Sequence, residues 1–123
     1  MAMKYVDIVQ GTDEWHQWRS QFVTASIVPA IMGASPHETP YAAVQYLRGL
    51  REKKVSEWFT RRGNALEDPA RRTIQDRFGK ILLPVCGEST RINYLAASFD
   101  GIDDDGLPHE IKAPSDKVWN EVL

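Results

Sequence analysis

The sequence predicts an α+β domain, with an antiparallel-to-mixed sheet of three to five strands and helices packed against it. Three observations point there. Tyr5–Val9 and Lys80–Cys86 read as short strands. Longer stretches following Thr12, Thr39 and Ser56, each a good N-cap, read as helices. Near the end, two short apolar–polar runs flank Asp103-Asp104-Asp105-Gly106, which is a hairpin signal.

At 123 residues the chain is expected to form a single domain, residues 1–123, with a modest core. Its single cysteine, Cys86, excludes an intramolecular disulfide, fits a reducing cytoplasm and reads as a buried strand residue. The start, Met1-Ala2-Met3-Lys4, lacks the apolar run of a signal peptide, and no segment is suited to span a bilayer. The net charge of −2 is mildly unfavourable for DNA binding, but the charges are unevenly distributed. From Arg48 to Lys80 there are ten Lys and Arg against five Asp and Glu; from Ser98 to Glu110 there are five acids and no Lys or Arg. That division suits a phosphodiester enzyme, whose bases bind backbone and whose acids bind metal, although ordinary surface charge can look the same.

Taken in order, Gly11 and Thr12 end the first strand and cap a helix running to about Phe22. Trp15, Trp18 and Phe22 form its apolar stripe, with Arg19 beside it. Thr24-Ala25-Ser26 is expected to open a second helix to Met32, stopped by Gly33, with Pro29 in its first turn. Thr24 and Ser26 would then be caps, and the helix start would also suit an anion that Arg19 could reach by a forked contact. Thr39 and Pro40 begin a helix to about Leu50, with Tyr41, Val44 and Leu47 at core spacing. Ser56 caps a long helix, Glu57 to Phe78, that Gly79 closes and Pro69 should kink. Read bare, its Glu67 is a surface glutamate, and Asp68, about 100° further round, faces solvent. Pro84 marks the following strand as an edge or a bulge. After the hairpin, Ser115 caps a helix from Asp116 to Leu123.

The hairpin carries the chemistry. If Asp104-Asp105-Gly106 is a three-residue loop with Gly106 in the left-handed position, Asp100 lies opposite Glu110 and Ser98 opposite Lys112. Glu110 and Lys112 then share a face, with Ile111 turned away. A two-residue loop would shift the register and separate them. Opposed carboxylates repel, and one remedy is a divalent cation held between them; oxygen ligands suit Mg²⁺ or Mn²⁺. A solvated acidic hairpin with no chemistry fits the same residues, and Asp103, Asp104 and Asp105 read as turn residues.

Asp100 followed by Glu110-Ile111-Lys112 resembles the PD-(D/E)xK nuclease core. More narrowly, Ser98-Phe99-Asp100-Gly101 before Glu110-Ile111-Lys112-Ala113-Pro114-Ser115 resembles the phage lambda-type exonucleases, the YqaJ-like viral recombinases. Trp15 and Arg19 followed by Thr24-Ala25-Ser26 are similar to that family's N-terminal motif, and Gly63 to Glu67 to its G-x-x-x-E helix. The resemblance implies a restriction-endonuclease-like core and Mg²⁺-dependent 5′→3′ exonuclease activity on double-stranded DNA ends, used in recombination. It implies that Asp100, Glu110 and the Ile111 carbonyl hold Mg²⁺ (or Mn²⁺), with Asp100 bridging a second ion. Glu67 would complete the shell directly or through water, Lys112 would act on the attacking water or the transition state, and Arg19 and Ser26 would bind the 5′-phosphate. It also implies a single-strand annealing protein as partner, a ring-shaped homo-oligomer, and a phage or prophage origin in a bacterial cytoplasm. Family members are longer, with a further strand and helices, so the chain is expected to cover their front half to two-thirds. It is expected to be inactive alone if those later elements are essential. The rival readings are an endonuclease of the same superfamily and a non-catalytic DNA-binding or assembly fragment.

Overall fold

The structure, a computed structural model, describes residues 3–52 and 57–122. Its elements in order are β1 (Met3–Val6), α1 (Asp13–Arg19), β2 (Val23–Thr24), α2 (Val28–Ile31), α3 (Pro40–Leu47), α4 (Glu57–Phe78), β3 (Leu83–Ser89), β4 (Leu95–Ile102), β5 (Pro108–His109) and α5 (Asp116–Val122). The strands form one open, mostly antiparallel sheet in the order β1-β3-β4-β2, with β5 also paired to β4. This is the expected α+β class. The chain divides into two compact units, Met1–Lys54 with Pro84–Phe99, and Val55–Leu83 with Asp100–Leu123.

In the first unit, β1 pairs antiparallel with β3 from Met3–Ser89 to Val6–Cys86, and β2 pairs parallel with the start of β4. Pro84 lies outside the run of β3 that β1 covers, so an inner strand tolerates its missing N–H there. Thr12 caps α1 as expected, its hydroxyl accepting from the Trp15 N–H. The helix stops at Arg19, three residues early, because Ser20 to Phe22 turn the chain into β2. Trp18, Cys86 and Ala96 make one buried cluster, with Val6, Ile8, Trp15 and Phe22 packed on it, so the aromatic stripe is core. A second cluster joins Ile27 and Ala30 to Ala43 of α3, backed by Tyr46 and Leu47.

Two expectations fail here. Thr24 belongs to a strand, and α2 begins only at Val28 behind Ile27, which makes no side-chain cap, so neither Thr24 nor Ser26 is a cap. Pairing of Val23 and Thr24 with Leu95 and Ala96 overrides local helix propensity. In α3, Thr39 caps as expected, accepting from the Ala42 N–H, but Tyr41 and Val44 are exposed, at 71% and 46%. Ala43 is buried in their place, because close packing on α2 calls for a small side chain.

In the second unit, α4 has the expected span and Gly79 closes it at φ +64°, its N–H donating to the Gln75 carbonyl. Ser56 lies outside the described residues. Leu82 is buried, its N–H bonded to the Gln75 side chain at 2.8 Å. Gly101 of β4 leaves room for it, since a Cβ there would come within 3.0 Å of Leu82 Cβ. The β4–β5 hairpin has the expected register, with Gly101 opposite His109 and Ile102 opposite Pro108. Its loop is Asp104 to Gly106, closed by the Asp103 N–H on the Leu107 carbonyl, with Gly106 at φ +81°. Ser115 stands before α5, its hydroxyl 3.4 Å from the Val118 nitrogen.

Candidate active site

The expected site residues fall into two groups, one in each unit. In the first unit, Arg19 is half-buried at the end of α1, and its guanidinium lies 4.4 Å over the Trp15 ring. Trp15 is itself held by an indole N–H bond of 2.9 Å to Ser98 Oγ. Arg19 Nη2 donates to Ser26 Oγ at 2.8 Å, and Thr24 Oγ1 lies 3.2 Å from the same oxygen. The pair picked out by sequence is therefore in contact, with Ser26 exposed in the turn between β2 and α2. A guanidinium beside a hydroxyl offers several donors to one anion. Because α2 has only four residues, the donors that this corner could offer an anion are these two side chains, not a helix dipole.

In the second unit, Asp100 lies near the end of β4 and is held on both sides. Its Oδ2 accepts the Ile111 N–H at 2.8 Å, and its carbonyl accepts Arg71 Nε at 3.0 Å. Glu110 and Lys112 follow β5 in irregular chain that no longer pairs as a strand, so the expected register reaches His109 and stops short of Lys112. Ladder bonding ends because the Ile111 N–H turns to the Asp100 carboxylate. The Glu110 and Lys112 side chains are 62% and 76% exposed and pair with each other at 2.5 Å. A chain of bonds thus runs from Asp100 through the Ile111 backbone to the neighbouring Glu-x-Lys side chains.

Glu67 is more enclosed, 30% exposed at its side chain, and its Oε1 meets Arg71 Nη2 at 2.6 Å. Asp68 is 73% exposed, as expected, yet bonds Arg71 Nη1. Arg71, which no sequence argument singled out, is 8% exposed and makes all three contacts. The i,i+4 and i,i+3 spacing from Glu67 and Asp68 was the available signal.

The donor chemistry is compatible with Mg²⁺ or Mn²⁺ at Asp100 and Glu110. Asp100 has one oxygen taken by the Ile111 N–H and a second oxygen on the same carboxylate, and Glu110, next to Ile111 in sequence, has an exposed carboxylate. With Glu67 they do not form a gathered set: Glu67, Asp100 and Glu110 do not all bring their oxygens within 4.8 Å of one another. Among the described residues the group that does so is Asp103, Asp104 and Asp105. That group has a turn's work instead. Asp103 is buried, and its carboxylate accepts the Asp105 and Leu107 N–H groups, with Lys80 Nζ 3.1 Å and His109 Nε2 2.8 Å away. The His109 contact foremost, then the Leu107 N–H, hold its carboxyl well below the usual carboxylate range. Bonds to Asp105 and then Asp103 hold the Lys80 ammonium above its usual range. Asp103 is thus a turn residue as expected, but a buried one and not wet surface. Lys80 and Arg71, counted among the bases available to DNA, are engaged with acids of their own unit.

A family model of the YqaJ-like viral recombinase domain matches residues 14–123. That is a nuclease-like family of phage recombination. The chain belongs to it. No curated protein matches the chain. No helix among the described residues is long and apolar enough to cross a membrane.

Proposed function

We propose that the chain is a metal-dependent deoxyribonuclease that degrades double-stranded DNA from 5′-phosphorylated ends during phage recombination. The observation that supports this most is the 2.8 Å contact between Arg19 and Ser26, which pairs the two side chains suited to a terminal phosphate. Asp100, Glu110 and the Ile111 carbonyl would hold Mg²⁺ or Mn²⁺. When bound, the ion supplies Lewis-acid polarisation of the phosphate and acidification of water. The Ile111 N–H orients the Asp100 carboxylate. Lys112 turns from Glu110 toward the phosphate and stabilises charge that develops during attack. Glu67 contributes directly or through water. A single-strand annealing protein and further copies of the chain, arranged as a ring, are the proposed partners, in the cytoplasm of a bacterial host.

Glu67, Asp100 and Glu110 do not gather as one set of carboxylate oxygens, which favours a second reading, a DNA-binding or assembly module without catalysis. Incubation of the full chain with linear 5′-phosphorylated duplex, 5′-hydroxyl duplex and closed circular DNA, with Mg²⁺ or EDTA, separates the readings. The proposal expects Mg²⁺-dependent loss of linear DNA, fastest with the 5′-phosphate, and an intact circle. Cutting of the circle would show an endonuclease; salt-sensitive binding without cleavage would show the non-catalytic module.

A further inference from the structure

We propose that Arg71 is the positioning residue of this site: its guanidinium holds the Glu67 carboxylate and the Asp100 backbone in fixed relation. The inference rests on the reading of Asp100 and Glu67 as active-site acids. An arginine presents its donors in a rigid planar fork, and three of them are engaged in three directions. Nε donates to the Asp100 carbonyl at 3.0 Å, Nη2 to Glu67 Oε1 at 2.6 Å, and Nη1 to Asp68 Oδ1. The residue is 8% exposed, so its charge has lost most of its water and depends on these partners. A surface ion pair would give no reason for such burial.

The consequence at Asp100 is specific. Its carbonyl is held by Arg71 and its carboxylate by the Ile111 N–H, so the residue is fixed through main chain and side chain together. At Glu67 one carboxylate oxygen is committed to Arg71, which sets the direction of the other. One side chain on α4 therefore sets the strand that bears Asp100 and the helix turn that bears Glu67. Lysine keeps the charge but cannot span three acceptors with this geometry.

The test compares wild type with Arg71→Lys and Arg71→Met and has two readouts. The first is independent of catalysis: hydrogen exchange of the Ile111 amide, whose bond to Asp100 Oδ2 depends on where Asp100 is held. The inference expects exchange at Ile111 to quicken about tenfold or more in Arg71→Lys, while amides of β1 and β3 keep their protection. The second is single-turnover digestion of linear duplex, expected to fall by about 10²-fold with DNA affinity little changed. Guanidinium ion, but not methylammonium, should restore part of the rate in Arg71→Met. If Arg71→Met fails to fold, Arg71→Lys, which retains the charge, decides through the Ile111 amide. Wild-type exchange at Ile111 in Arg71→Lys would overturn the inference whatever the activity. An inactive wild type whose Ile111 amide still responds would overturn the nuclease reading and leave Arg71 as the residue that places Asp100.

Discussion

The hairpin carries two carboxylates in opposite circumstances. Asp103, at the turn, is buried and bonded to two N–H groups, an ammonium and an imidazole. Glu110, beyond the last paired residue, is 62% exposed with one lysine for company. A carboxylate that builds a fold is enclosed and saturated, whereas one proposed to serve a ligand, as Glu110 is, needs the exposed oxygen that it keeps. Acidic residues that look alike in sequence differ in the bonds their neighbours provide.

Substitutions at the two positions should therefore pull apart. The largest loss of stability is expected for Asp103→Ala, which removes the turn's acceptor, deprives His109 of its carboxylate and leaves Lys80 with Asp105 alone; the melting temperature should fall by roughly 10 °C. Glu110→Gln should leave it within about 2 °C, as for most surface substitutions. Equal shifts in a thermal scan would break the comparison.

Acid sharpens the same contrast. Because the Asp103 carboxyl titrates below its unfolded value, its contribution is complete above about pH 4 and is lost as the pH falls through the lower folded value. Asp103→Asn should flatten the fall in stability below about pH 4 relative to wild type. A mutant that follows the wild-type acid profile would mean that other carboxylates set it.

The Arg19 pair should give a smaller and more selective effect. Arg19→Ala is expected to weaken recognition of a 5′-phosphorylated end by about 10- to 150-fold, the equivalent of about 1.5–3 kcal/mol for a charge-assisted bond. A 5′-hydroxyl end should lose much less, and equal losses in a competition assay would make Arg19 a structural partner of Trp15.

Much of this was legible because it depends on short-range chemistry. Gly106 dictated the three-residue loop, the loop fixed the register, and Thr12 and Thr39 capped as their types require. Arg19 and Ser26 came from a resemblance, and the structure brings them into contact. The misses are tertiary. The pairing of Thr24 with Ala96 overrode helical propensity, and the burial of Ala43 under α2 left Tyr41 and Val44 outside. Arg71 was one of ten bases in a long charged stretch, and only its neighbours in space separate it from the rest. The end of the ladder after His109 was also hidden, because it depends on a side chain capturing the Ile111 N–H.

The most direct test of the nuclease claim is Lys112→Met, which keeps much of the apolar stem and removes the charge. Single-turnover digestion of 5′-phosphorylated linear duplex should be run beside a Mn²⁺ titration of the same protein. The rate should fall by about 10²-fold or more, the usual loss for a transition-state contact, while DNA affinity changes little. Mn²⁺ binding should persist or tighten, since a competing cation 2.5 Å from Glu110 has gone. A Lys112→Met protein that digests DNA at the wild-type rate would contradict the Glu-x-Lys assignment and the active site built on it.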